Sequence, residues 1–169
     1  MKVTFNYLPD GRRIRKEVFR RQGGVYVSER VHQFRYDSMN LVKERITEAG
    51  GAVTVREFIY GLDLAGMRSG RGLEGAGGIG GVVFVKETKN AQTKTYIPVY
   101  NQVGTVTQLI DADTGLVAAF YQYTNFGVPL VATGPAKDAC PLRFTSKYYD
   151  EEIGVYFLGA IIISREELL

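Results

Sequence analysis

Three short stretches hold residues whose types and spacing could do chemistry. "GAGGIGG", residues 75–81, spells G-x-G-x-x-G through Gly75, Gly77 and Gly80, with Gly78 and Gly81 beside them. That spelling makes a dinucleotide site only between a strand and a helix, because the helix N-terminus supplies the amides that hold a pyrophosphate. Here the polar "MRSGRGLE" precedes it and the β-branched "VVFVKETK" follows it. The expectation is an irregular, glycine-permitted loop ahead of a strand over Val82–Lys86, with no phosphate and no cofactor. "DADTG", residues 111–115, puts Asp111 and Asp113 at calcium-like spacing, but Leu116 and Gln122 stand where an EF-hand needs Gly and Glu. It reads as a hairpin turn. Asp150, Glu151 and Glu152 look like paired carboxylates and read as an acidic surface turn.

Nucleophilic and metal chemistry have little to draw on. His32 is the single histidine, so no His-based metal cluster can form, and the single cysteine, Cys140, excludes an internal disulfide. Cys140 is followed by Pro141 in a loop, and nothing in sequence marks it as an activated partner for His32. No residue is a candidate catalyst, metal ligand or cofactor contact, and the chain reads as a non-enzyme.

The elements that would position these residues are strands. At 169 residues with 45% apolar content, one domain with a real core is expected. Twenty Gly, 11 Tyr and 9 Phe favour turns and strands over helices. "VTFNY", "GVYVSERVHQFRY", "REFIYG", "VVFVKE", "KTYIPVYN", "TVTQLI", "LVAAFYQY" and "GVYFLGAIII" are short alternating or apolar runs. Turn signals separate them at Asp10-Gly11, Gly23-Gly24, Gly50-Gly51, Lys89-Asn90, Thr114-Gly115 and Asn125-Phe126-Gly127. "DSMNLVKERITEAGG" fits either a short helix capped by Ser38 or a strand turning into Ala52–Tyr60; the hairpin satisfies both segments and is preferred. The fold class is all-β, an antiparallel hairpin array.

Charge and length exclude other classes. The net charge is +3, and much of it sits in Arg12, Arg13, Arg15, Lys16, Arg20 and Arg21. That cluster reads as a solvated hairpin rather than a nucleic-acid footprint. The longest apolar run, Val155–Ile163, is shorter than the ~20 residues that span a bilayer as a helix. The N-terminal residues hold no apolar signal region, so no export signal is expected and the chain is placed in the cytoplasm at synthesis.

Tyrosines recur just before the turns: Tyr7, Tyr36, Tyr60, Tyr100, Tyr123 and Tyr149. A tyrosine there can cover the neighbouring hairpin with its ring while its hydroxyl reaches a turn carbonyl. Recurrence of this kind marks an array of one supersecondary unit whose members bury a shared face.

"YDSMNLVKE", "GAGGIGGVVFV", "VTQLIDADTGLVAAFYQYTNFGVPL" and "RFTSKYYDEEIGVYFLGA" resemble the YD-repeat proteins, in particular the Rhs-repeat-associated core, over roughly residues 5–164. The resemblance implies a sheet that spirals into a hollow shell, which in many bacterial members encloses a toxic domain freed by aspartyl self-cleavage. "IIISREELL" departs from the family's Arg-Tyr-Tyr-Asp/Ser-Pro continuation, with Ile161, Ile162 and Ile163 in place of Arg-Tyr-Tyr. Neither cleavage nor toxicity therefore transfers to a residue of this chain.

The domain reading is one unit over 1–169: a hairpin block 5–74, the glycine loop 75–81, a second block 82–164 and a tail 165–169. Two functions remain. One is a scaffold resembling the terminal part of a toxin-encapsulating shell, acting by self-association or on a partner shell chain through exposed strand edges. Val155, Tyr156, Phe157, Leu158, Ile161, Ile162 and Ile163 are its candidate contact strand. The other is a carbohydrate-binding or cell-surface adhesion module using the tyrosines as stacking platforms.

Overall fold

The computed structural model describes residues 1–68 and 76–158, together with the backbone of Ile162–Ile163. Ten strands follow one another in a single antiparallel sheet whose spatial order is the chain order. They are β1 (Lys2–Tyr7), β2 (Arg13–Gln22), β3 (Val25–Asp37), β4 (Asn40–Glu48), β5 (Val53–Tyr60), β6 (Val82–Lys89), β7 (Gln92–Tyr100), β8 (Val106–Asp111), β9 (Val117–Tyr123) and β10 (Pro129–Thr133). A second sheet holds β11 (Tyr148–Asp150), β12 (Val155–Phe157) and β13 (Ile162–Ile163). The all-β hairpin array expected from the alternation is the fold observed, and the ambiguous segment is the β4–β5 hairpin.

One irregularity repeats five times. Tyr7, Tyr36, Tyr60, Tyr100 and Tyr123 each stand at the end of an odd-numbered strand, or one residue before it for Tyr36, and pair with Arg13, Leu41, Val82, Val106 and Pro129 at the start of the next strand, where Leu41 follows Asn40. The residue before each tyrosine pairs two positions further on, so Ile14, Val42, Val83, Thr107 and Leu130 are bulged out. A bulge breaks the two-residue alternation of a strand. Residues three apart therefore share a face: Arg13 with Lys16, Leu41 with Glu44, Val82 with Val85, and Val106 with Leu109, all buried.

After β10 the chain folds back over one face of the long sheet, the covered face. Gly134 makes the return possible. Its φ is +100°, and a Cβ there would lie 2.4 Å from the Ala118 carbonyl oxygen. Beyond it Ala136 N–H donates to Ala118 O, Val106 N–H donates to Arg143 O, and the Ser146 hydroxyl donates to Gly104 O. Under this segment lies the core, including Phe34, Leu41, Phe58, Val85, Tyr96, Leu109, Tyr121, Leu142 and Tyr148.

The glycine loop is an insert in the β5–β6 hairpin. Gly77, Gly78 and Gly80 have positive φ, while Gly75 lies outside the described residues. The loop winds on Asp63, whose carboxylate accepts N–H groups from Ala65, Met67 and Ala76. A strand, not a helix, follows it.

The candidate contact residues fall in the second sheet. The candidate contact strand Val155–Phe157 becomes β12, which has β11 on one side and β13 on the other. Its backbone is paired within the chain, Val155 is buried, and Leu158 is half-buried. Ile162 and Ile163 form β13, and Ile161 lies outside the described residues. Among the described residues, the edges left unpaired in the long sheet are those of β1 and β10.

Candidate functional site

The sequence expectation that needs correction concerns charge. Asp150 is buried to 1% exposure rather than sitting on a surface turn, and Arg13 and Lys16 are equally buried rather than solvated. The bulge at Ile14 turns both cations onto the covered face. Tyr148–Asp150 then lies across them, and the opposite charges meet.

Asp150 accepts from the Arg13 guanidinium at 2.5 Å and from Lys16 Nζ at 3.0 Å. Lys16 also donates to Glu152 at 2.8 Å. The Arg13 guanidinium carbon stands 4.7–5.2 Å from the ring centres of Phe157, Phe34, Tyr148 and Phe5. Four aromatic faces around one guanidinium supply cation–π attraction where water is excluded. Burial, the largest influence, works against the Arg13 charge, but the Asp150 carboxylate outweighs it and raises the affinity of the guanidinium for its proton.

A second group continues the network across the sheet. Glu44 on β4, fully buried, accepts from Arg56 at 2.9 Å, from the Tyr148 hydroxyl at 2.5 Å, and from His32 Nδ1–H at 2.7 Å. Burial pushes its carboxyl up, but the Arg56 charge and these donors hold it well below the ordinary 4.5. Arg56 reaches on to Glu87 at 3.2 Å. The other ring nitrogen of His32 lies 3.5 Å from Glu152, whose carboxyl is likewise held low against burial by His32 and Lys16. Each carboxylate faces a cation, so the charges satisfy one another. This ionic clasp fastens the returning segment to β2, β3, β4 and β5.

The tyrosine tier sits beside it. Tyr36, Tyr100 and Tyr123 donate their hydroxyls to the carbonyls of Arg13, Val82 and Val106, each the first residue of the preceding even-numbered strand. Burial pushes the Tyr36 phenol up to about 12. Tyr36, Tyr60, Tyr100 and Tyr123 pack against the core, and of the six repeat tyrosines Tyr7 alone is exposed. Tyr149 stands on β11, outside the ten-strand series, with its ring 4.9 Å from Tyr156. Rings spent in this way leave little face for stacking sugars.

Reactive groups are occupied too. Burial pushes the Cys140 thiol up to about 11, and it donates to Leu142 O. His32 Nδ1–H donates to Glu44, and Nε2 faces Glu152 at 3.5 Å without a hydrogen-bond partner. The Asp111 carboxylate accepts from the N–H groups of Asp113 and Thr114, closing the turn read from the sequence. Among the described residues no group of three or more His, Cys, Asp and Glu is arranged to hold a metal ion, and no helix is long and apolar enough to cross a membrane.

Fold and site together define an antiparallel hairpin array with its own C-terminal segment clasped over one face. Solved structures share that fold. The crystal structure of TcdB2-TccC3 superposes with a TM-score of 0.67 at 13% identity, covering 96% of this chain. A crystal structure of TcdB2-TccC3-Cdc42 gives 0.64 at 12% identity, again over 96%. The Photorhabdus luminescens Tc holotoxin pore carrying the TccC3-D651A mutation gives 0.52 at 10% identity. This chain spans 7% of the length of the first two and 8% of the third. No family model and no curated protein matches it.

Proposed function

We propose that this chain is a non-catalytic β-scaffold of the Rhs/YD-repeat kind that works by pairing its sheet edges with other strands, of its own kind or of a partner shell chain. The single observation that carries the reading is the disposition of the long sheet. One face is closed by the chain's own clasp, and among the described residues no strand pairs with the outer edges of β1 and β10. Unpaired strand edges are templates for further strands. Likeness to parts of TcdB2-TccC3 assemblies supports the scaffold reading.

Sedimentation velocity tests it. Association that grows with concentration, and that stops at a smaller species in the double variant Leu130→Lys/Val131→Lys on β10, is the expected result, because charges on an edge block pairing. A strictly monomeric protein at micromolar concentration, or assembly indifferent to the β10 charges, overturns edge pairing.

A further inference from the structure

Between the tyrosine tier and the returning segment lies a cavity with a cation that the clasp does not use. Its volume is about 170 Å³, and Leu41, Tyr60, Leu142, Phe157 and Leu158 line it together with Lys147. Lys147 stands one residue before β11, on the returning segment itself. Among the described residues its ammonium has no hydrogen-bond or ion-pair partner, and no Asp or Glu lines the cavity. Arg12, the other cation at the wall, is spent on Asp10 at 2.6 Å and on the Ser38 carbonyl. Lys147 is half-buried, and burial alone pushes its ammonium below the ordinary 10.5. The buried cations of the clasp, Arg13 and Lys16, both face a carboxylate.

A second polar group departs from the repeat in the same cavity. Tyr36, Tyr100 and Tyr123 each donate to the carbonyl of the residue that the preceding repeat tyrosine pairs with. For Tyr60 that carbonyl belongs to Leu41. Among the described residues the Tyr60 hydroxyl makes no such bond, and Tyr60 lines the cavity.

A lone, partly desolvated ammonium among apolar walls is unfavourable, and a carboxylate seated beside it would offset the cost. We propose that this cavity binds a small apolar molecule carrying one carboxylate, with Lys147 holding the carboxylate, Tyr60 offering a further donor, and Leu142, Phe157 and Leu158 covering the body. Charge selects that ligand: the wall offers one unused cation and no acid, so an anionic head is attracted and a cationic one is repelled. Pockets for drug-sized ligands run to roughly 300–1,000 Å³, so the body here is short, on the order of eight carbons. The site lies on the clasped face and stands independently of edge pairing.

Isothermal titration calorimetry of the whole chain with octanoate, with far-UV circular dichroism to check folding, tests this. Saturable binding at one site is expected, with a Kd on the order of 100 µM. Lys147→Met is expected to weaken it at least roughly tenfold and Tyr60→Phe about threefold. Octylamine, the same body with a cationic head, is expected not to bind, and that comparison needs no variant should Lys147→Met unfold. Lys86→Met, at an exposed position of β6, is expected to leave binding unchanged. So is the β10 edge variant Leu130→Lys/Val131→Lys, so that failure of this site and failure of edge pairing read differently. N-acetyl-leucyl-leucine presents the carboxylate on a chain terminus instead of a free acid, and the tighter of the two carboxylates assigns the source. No saturable binding of either one below about 5 mM overturns the proposal. So does equal binding to Lys147→Met, or octylamine bound as tightly as octanoate.

Discussion

Arg13 donates to Asp150 across 137 positions of sequence, at 2.5 Å, with both side chains 2% exposed. The first hairpin and the last sheet of the described chain are thereby one structure. Removing one member of a buried pair leaves the other charge unpaired in a medium that cannot solvate it.

Asp150→Asn is therefore expected to lower unfolding stability by about 3–5 kcal/mol, read from urea midpoints. Arg13→Lys keeps the charge but loses the planar group that four rings enclose, and is expected to cost about 1–3 kcal/mol. An Arg13→Lys variant as stable as the wild type would deny the aromatic cage its role.

Acid should open the clasp. Glu44 and Glu152 have folded-state values below the ordinary 4.5, so unfolded chains bind more protons than folded ones as pH falls through that range. Their contribution is fully present above the ordinary carboxylate value and is lost progressively on acidification. Urea midpoints are expected to be level near neutrality and to fall steeply below about pH 5, with a shallower fall in Glu152→Gln. Equal slopes for the two proteins would remove Glu152 from the clasp.

Gly134→Ala adds a methyl against the Ala118 carbonyl at a φ of +100°. A loss of about 3 kcal/mol or more is expected, since both the strain and the clash must be relieved. Gly24→Ala has a comparable φ of +89° with open space around it, and about 1 kcal/mol is expected there. The difference between the two midpoints isolates the close backbone crossing at the start of the returning segment.

Tyr100→Phe deletes a hydroxyl that donates to Val82 O at 2.8 Å. A loss of about 1 kcal/mol is expected, against no measurable change for Tyr26→Phe, whose ring is exposed. Equal effects would mean that the tyrosine tier does not hold its hairpins.

The strands and turns were legible because alternation and turn residues are local signals. Val82–Lys89 after the glycine loop and the β4–β5 hairpin both follow from them. The clasp was not, for a physical reason. Counting by twos puts Arg13 and Lys16 on opposite faces, and only the bulge at Ile14 brings them together. A signal was present nonetheless. Val82/Val85 and Val106/Leu109 occupy the same places after their own tyrosine turns, and those apolar pairs mark the residue paired with the tyrosine and the third residue after it as buried. Applied to β2 and β4, that spacing names Arg13, Lys16 and Glu44. Asp150 has no such local marker, because what buries it is a segment more than a hundred residues from β2.

Amide hydrogen exchange followed by mass spectrometry, at low and high protein concentration, tests a clasped sheet with open edges most directly. Amides of Tyr148–Asp150 are expected to exchange as slowly as those of β8 at both concentrations, and to lose that protection in Asp150→Asn. Amides of β1 and β10 are expected to exchange fast in dilute protein and to slow as concentration rises. Rapid exchange at Tyr148–Asp150 in the wild type, together with edge amides indifferent to concentration, would contradict both the clasp and the scaffold built on it.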